Sequence, residues 1–352
     1  MPLMEDRAGV WFRQRSTHWR DWPLDRLLES KQRQGARISV VIPARDEERT
    51  VAGVVTAIRQ ALVIDAPLVD EVVVVDSDSA DATAAVATRA GATVHRARDI
   101  APQLGSHHGK GEALWKSLLV TEGDLLVFVD ADLTRWGPHF VTGLVGPLLD
   151  DPEVRLVKGC YARVTTARDG STSSEGGRVT ELVARPLLSL WWPELTSVIQ
   201  PLAGEWAARR SLMESLSIPV GYGVELATLL DTFSRHGLAA LAQVDLGARA
   251  HRHQSDHDLA LMAAELLVVA ENRHTRPRRL LPDLALHQFV REQGTVRPRA
   301  RPVPTRERPP LSTVLVNAGL SNTGLSNTGL PNTGLPNTGL SNTGRCPTPE
   351  AL

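Results

Sequence analysis

An α/β domain, with a parallel sheet covered by helices on both faces, is the fold class that this 352-residue sequence predicts. Three observations carry it. Short apolar runs, rich in β-branched residues, stop abruptly at a proline or an acid: residues 38–42 before Pro43, 72–75 before Asp76, and 125–129 before Asp130. Between them lie segments with apolar residues at helical spacing, such as Val51, Val54, Val55, Ile58 and Leu62. Polar residues then gather just past the strand ends, at Asp46 and Glu47, at 76–81 and at 130–132. Open α/β sheets bind their ligands along that carboxyl edge.

The elements follow in order. Residues 1–36 are polar, carry Trp11, Trp19 and Trp22, and read as a short helical N-terminal arm. After the strand at 72–75, Ser79 is placed to cap a helix that Gly91 stops. Residues 92–95 read as a third strand, 112–120 as a helix and 125–129 as a fully buried strand. The stretch 165–178 is a polar, glycine-containing loop, expected to be mobile. Beyond it we expect a helix at 223–236, a strand at 241–246 and an amphipathic helix at about 256–271. Ordered structure is expected to fade after about residue 290. Five Leu-(Ser/Pro)-Asn-Thr-Gly pentads run from residue 320 to residue 344, with too few large apolar residues to build a core. The division is therefore an N-terminal arm (1–36), a nucleotide-sugar-binding subdomain (37–160), an acceptor-binding and metal-completing subdomain (161–290) and a disordered tail (291–352).

Composition narrows the function classes. A net charge of −1 gives no electrostatic footprint for nucleic acid or an anionic membrane. Two cysteines cannot build a disulfide framework, so a reduced, cytoplasmic setting is expected. No apolar run approaches the roughly 20 residues that span a bilayer, and no signal-peptide core opens the chain.

Asp130 and Asp132 are the strongest local signal. At i and i+2 of an extended segment their side chains share one side, and two carboxylates at a strand mouth suit Mg²⁺ or Mn²⁺. A solvated turn is the plain alternative. The acidic groups at 46–48 favour the N-terminus of the following helix or grip a nucleotide, and those at 76–81 serve a turn or a ribose. Gly109-Lys110-Gly111 is not a Walker loop, for its spacing is wrong, yet a lysine between glycines can approach a diphosphate closely. Gly177, Arg178 and Thr180 open an apolar helical run with a phosphate-binding combination of backbone N–H groups, guanidinium and hydroxyl. Gly221-Tyr222-Gly223-Val224-Glu225 sets a carboxylate after a tight turn, and an imidazole of His251 or His253 could complete a metal sphere.

In series, these motifs resemble the glucosyl-3-phosphoglycerate synthases, retaining GT-A glycosyltransferases of actinobacterial type. The resemblance runs from about residue 38 to 272, through 41–44, 109–115, 177–186, 200–202, 221–225 and 249–252. It implies a hexosyltransferase moving glucose from UDP-glucose to the 2-hydroxyl of 3-phosphoglycerate, with Mg²⁺ or Mn²⁺ as cofactor and a homodimer as assembly. It further implies that Pro43, Ala44, Arg45, Glu47, Ser77, Lys110, Asp130 and Ala131 hold the nucleotide-sugar. Asp132 and His251 would bind the metal. Gly177, Arg178, Thr180, Tyr222 and His253 would meet the acceptor, and Asp130, Asp132, Glu225 and Lys110 would carry the chemistry. His253 stands where the family pattern has asparagine, Asp78 where it has glycine and Ala80 where it has threonine.

A divalent ion offsets the charge that develops on a departing diphosphate, and Arg178 would orient the acceptor hydroxyl. No side chain stands out as a covalent nucleophile, which favours a same-face displacement. Three rivals remain at this stage: a GT-A transferase with another nucleotide-sugar or acceptor, a sugar-nucleotide pyrophosphorylase, and a nucleotide-binding regulator without turnover.

Overall fold

The computed structural model describes residues 7–163, 165–166, 172–173, 177–249, 256–274, 285–292, 295–302, 304 and 306–318. The predicted α/β architecture is present. Eight strands form one sheet in the order Ser16–His18, Leu241–Arg249, Leu156–Arg163, Trp206–Arg209, Leu125–Phe128, Ile38–Ala44, Glu71–Asp76 and Thr93–Arg96. The period-two geometry of a strand divides its side chains between two cores. Val40, Ile42, Val72, Val74 and Val127 face one, with the helices Val51–Arg59 and His139–Asp150; Val41, Val73, Val75, Leu126 and Phe128 face the other, with the helices Lys110–Ser117 and Val224–His236. Burial on both faces explains why these strands are continuous apolar runs rather than alternating ones.

The sheet is mixed rather than purely parallel. Trp206–Arg209 runs antiparallel to both Leu125–Phe128 and Leu156–Arg163. Four residues, Trp-Ala-Ala-Arg, contain no β-branched side chain, so nothing local announces this strand. Because it belongs to the same sheet as Ile38–Ala44, the segments expected as two subdomains, 37–160 and 161–290, share one framework.

Several boundaries need correction. Residues 7–36 are helical as expected, in Arg7–Arg15 and Leu24–Gln34, but they pack as part of the domain: Ser16–His18 is an edge strand parallel to Leu241–Arg249, and Trp11 is buried with its Nε1 donating to the Leu241 carbonyl at 2.9 Å. Ser79 does not cap the next helix. That helix is Thr83–Arg89, and the carboxylate of Asp81 accepts from the Thr83 N–H at 2.9 Å. Gly91 does follow its end, at φ 96°. Order also extends past residue 290. Ala285–Glu292 pairs with Thr295–Pro302 as a hairpin, Glu307–Arg308 adds to Ile218–Pro219, and Leu311, in the helix Leu311–Ala318, is fully buried. The pentads at 320–344 and most of the 165–178 loop lie outside the described residues.

Candidate active site

The carboxyl edge is built by two loops that hold each other. After Ile38–Ala44, the Asp46 N–H donates to the Ser79 hydroxyl at 3.0 Å, and the Ala80 N–H returns to the Asp46 carboxylate at 2.8 Å. The Glu48 N–H reaches Asp81 at 3.2 Å, while the Ala82 N–H reaches Glu48 at 3.1 Å. Asp46, Glu48 and Asp81 are thereby committed to loop structure. Asp46 and Asp78 both adopt the left-handed conformation, at φ 55° and 58°, a region that asparagine and aspartate tolerate through local hydrogen bonds. The Ser77 N–H donates to the Ala44 carbonyl at 2.8 Å, so these two residues adjoin, with Pro43 one position behind on the strand. Arg45 lies largely in solvent, and Glu47 accepts from the Thr50 hydroxyl at 2.8 Å. Asp76 is buried at the end of its strand, and one of its carboxylate oxygens has no hydrogen-bond partner. A buried acceptor in that state is costly unless a donor arrives.

At the centre of the edge is a network of alternating charge. The Lys110 Nζ sits between Asp130 Oδ1 at 2.6 Å and Glu225 Oε1 at 2.8 Å. Arg249 bridges both members of the Asp-x-Asp pair, with Nη2 at 2.8 Å from Asp130 Oδ2 and 3.4 Å from Asp132 Oδ1. Its Nη1 donates to the Tyr161 hydroxyl at 2.5 Å and to Glu205 Oε2 at 3.0 Å. One guanidinium meeting both aspartates confirms that their side chains share a side, while Ala131 between them is buried in the core. Gly204 makes room for this: a Cβ there would lie 2.2 Å from Asp130 Oδ2.

Burial opposes charge throughout the network, and pairing decides which charges persist. Burial disfavours ionised Asp130, but Lys110 and Arg249 overcome it and hold the carboxyl well below its usual range. Lys110 is desolvated too, and Asp130 and Glu225 keep it firmly protonated. Asp132 moves the other way: burial and then the charge of Asp130 raise it, with Arg249 opposing. Burial pushes Glu205 up to about 7 against the pull of Arg249. Behind it, burial brings Lys158 down to about 7; its Nζ donates to the Ala203 carbonyl at 3.0 Å.

The glycines of Gly109-Lys110-Gly111 have a structural cause. A Cβ on Gly111 would lie 1.7 Å from the Pro219 carbonyl oxygen, and one on Gly109, at φ 134°, would lie 2.3 Å from that of Val220. The N–H groups of Gly111 and Glu112 donate to Gly221 and Val220 at 3.2 and 3.0 Å. The start of the lysine's helix is thus docked on the chain that leads to Glu225. Tyr222, on the same loop, donates its N–H to Glu265 Oε2 at 2.6 Å. Burial raises its phenol, with the charge of Lys110 opposing and those of Glu265 and Asp130 assisting.

Gly177 and exposed Arg178 lead into a helical stretch in which Thr180 is buried. His251 and His253 lie outside the described residues. Among the described residues no three His, Cys, Asp or Glu side chains converge as a metal cluster. The donor set that is present nevertheless fits a hard dication: two carboxylates on one side, already sharing a cationic group, with oxygen ligands only. In sequence Arg249 stands out only through the 249–252 motif, which gives it no role; Glu205 and Lys158 carry no local signature and join the network through the unannounced strand Trp206–Arg209 and its neighbour Leu156–Arg163.

Comparison with known proteins places this geometry. Residues 39–193 match the description glycosyl transferase family 2, and residues 313–347 match pentapeptide repeats. Glucosyl-3-phosphoglycerate synthase from Petrotoga mobilis is 42% identical over 295 residues, covering 82% of this chain and 90% of the relative. The Mycolicibacterium paratuberculosis enzyme of the same name is 42% identical over 321 residues, covering 89% and 94%. Among solved structures, glucosyl-3-phosphoglycerate synthase from Mycobacterium tuberculosis, in complex with Mn²⁺, UDP and phosphoglyceric acid, aligns with a TM-score of 0.76 at 42% identity. That alignment covers 85% of this chain and 98% of the other. Mannosyl-3-phosphoglycerate synthase from Rubrobacter xylanophilus aligns with a TM-score of 0.79 at 39% identity, covering 88% and 98%. The chain belongs to the glucosyl-3-phosphoglycerate synthase family of glycosyltransferases.

Proposed function

We infer that this chain transfers glucose from UDP-glucose to the 2-hydroxyl of 3-phosphoglycerate with retention of configuration. The observation that carries the reading is the Lys110–Asp130–Arg249–Asp132 network at the carboxyl edge of a chain 42% identical to such synthases over nine-tenths of their length. Asp132, with His251, would hold Mg²⁺ or Mn²⁺, and Asp130 would stand beside it near the ribose. The bound ion supplies positive charge to a departing diphosphate. Lys110 adds a second positive contact from its seat between Asp130 and Glu225. Pro43, Ala44, Arg45, Glu47, Ser77 and Ala131 would line the nucleotide-sugar. Gly177, Arg178, Thr180, Tyr222 and His253 would hold the acceptor, Arg178 as a charged clamp on its phosphate.

Glu225 is ion-paired to Lys110 at 2.8 Å and rooted in the first turn of its helix. That pairing lowers its nucleophilicity and supports a same-face displacement, in which the leaving phosphate takes the acceptor's proton. The decisive experiment is mass-resolved analysis of the product formed from UDP-glucose and 3-phosphoglycerate in Mn²⁺. A glucosylated phosphoglycerate is expected. Its absence, with product formed from GDP-mannose instead, would replace glucose by mannose; the likeness to a mannosyl-3-phosphoglycerate synthase is what keeps that second reading open.

We place the enzyme in the cytoplasm, in keeping with its cysteine usage; no described helix is long and apolar enough to cross a membrane. A homodimer accords with the exposed side chains of Leu182, Leu190 and Leu267. Light scattering on the full chain measures it.

A further inference from the structure

The segment after residue 305 is fastened to the two helices that hold Lys110 in place. Arg308 makes a forked contact with Glu112, Nε to Oε2 at 2.9 Å and Nη2 to Oε1 at 2.7 Å. Glu112 lies two residues beyond Lys110, in the first turn of the helix Lys110–Ser117. The same guanidinium donates to the carbonyls of Leu104 and Gly105 at 2.7 and 3.2 Å and lies 4.9 Å from the ring centre of Trp115. Trp115 answers by donating its Nε1 to the Pro309 carbonyl at 3.1 Å.

One residue earlier, Glu307 pairs with Arg273 at 2.7 Å, and Arg273 grips both oxygens of Asp231 at 2.9 Å. Asp231 belongs to the helix Val224–His236, whose first turn carries Glu225. Between these two clamps, Glu307 and Arg308 add a strand to Ile218–Pro219, the segment whose Pro219 carbonyl faces Gly111 and which leads into the Val220 carbonyl that faces Gly109. Two adjacent side chains therefore tie down both helices that flank the Lys110 ammonium. An arginine in a fixed fork geometry sets orientation in a way that a lysine on the same spot would not.

We propose that Arg308 is a positioning residue for the reaction: through Glu112 and Trp115 it fixes the helix that presents Lys110 to the nucleotide-sugar diphosphate. The inference rests on the reading of Lys110 as a contact of that diphosphate, and the test separates the two. UDP affinity in the presence of Mn²⁺ is measured by calorimetry on the full chain as isolated, for Arg308→Lys, Lys110→Met and the double variant. Arg308→Lys keeps the charge beside Glu112 and loses the fork. It is expected to weaken UDP by about tenfold, and by under about twofold once Lys110 is already Met, because coupled residues do not add. The KM for 3-phosphoglycerate should stay within about twofold, an outcome that general loosening of the fold would not give.

If Lys110→Met leaves UDP affinity unchanged, the reading of Lys110 itself fails. If Lys110→Met weakens UDP and Arg308→Lys weakens it by the same factor in both backgrounds, Lys110 stands and the positioning role of Arg308 is overturned. An Arg308→Lys enzyme with normal UDP affinity overturns it equally. Should Arg308→Lys fold poorly, Glu112→Gln with Arg308→Gln removes both charges together, and the same comparison in the two Lys110 backgrounds decides.

Discussion

The front of the molecule, residues 38–132, and the back, residues 205–249 with 306–314, supply the same charge network in different ways. At the front, Asp76, Asp130 and Asp132 each sit within a few residues of the end of a buried strand, and the strand announces itself by its apolar run. At the back, Arg249 reaches Asp130 across 119 positions and Arg308 reaches Glu112 across 196. Both regions carry buried charged side chains, Asp76 and Glu112 at the front, Glu205 and Arg249 at the back. What separates them is how far along the chain the partner lies, and local pattern carries no information about that distance.

Particular residues show where legibility ends. Asp130 and Asp132 could be read because an apolar strand aims them at the sheet edge. Trp206–Arg209 could not, since its place is fixed by two antiparallel neighbours rather than by propensity. The glycines about Lys110 suggested close approach to a ligand, yet what approaches is the backbone of Pro219 and Val220. Arg308 sits in an arginine- and proline-rich stretch whose composition signals disorder, and only its partner Glu112 shows otherwise. Half of the acidic loop residues turned out to satisfy backbone N–H groups, the alternative that sequence had left open.

The comparison breaks most directly at the C-terminal segment. A chain ending at residue 305 loses Arg308 and so leaves Glu112 buried without its main partner, a change that costs about 3–5 kcal/mol for comparable pairs. It also loses Leu311, buried against the core that holds Leu212 and Met213. Urea unfolding should show this chain clearly destabilised, whereas one ending at residue 318 should match the full length. Equal midpoints for all three would mean that the back of the molecule stands without its long-range ties.

Asp132→Ala probes the front and should act on rate without touching stability. Loss of a metal ligand is expected to lower kcat at least about a hundredfold, roughly 2.7 kcal/mol. The thermal midpoint should hold, because the side chain lies past a strand end. Near-normal turnover in saturating Mg²⁺ would remove Asp132 from the metal site.

Arg178→Ala should sharpen the division of labour between donor and acceptor. A charge-assisted contact to phosphate is worth about 1.5–3 kcal/mol, so the KM for 3-phosphoglycerate is expected to rise about tenfold or more. UDP-glucose affinity by calorimetry should be unchanged. Equal weakening of both substrates would assign Arg178 to structure.

The smallest expected effect, per step of the titration, concerns Lys158, which among the described residues makes no ion pair with a carboxylate. Burial brings its pKa down to about 7 from an ordinary 10.5. Between these values the unfolded chain keeps the proton that the folded chain has released. The unfolded state then binds more protons, and stability must rise with pH across that window, by at most about 1.4 kcal/mol per unit. Below pH 7 both states are protonated and Lys158 adds no slope. Glu205 works on the other side: its pKa is raised to about 7, so the folded state holds the extra proton and stability falls as pH climbs toward 7. Lys158→Met retains the apolar stem beside Trp206, removes the amine, and should erase the alkaline rise while leaving the acid limb in place. Thermal midpoints taken from pH 5 to 10 on both proteins give the answer. An unchanged alkaline limb in the variant would show that Lys158 stays protonated when folded, held by the surrounding carboxylates as firmly as Lys110 is.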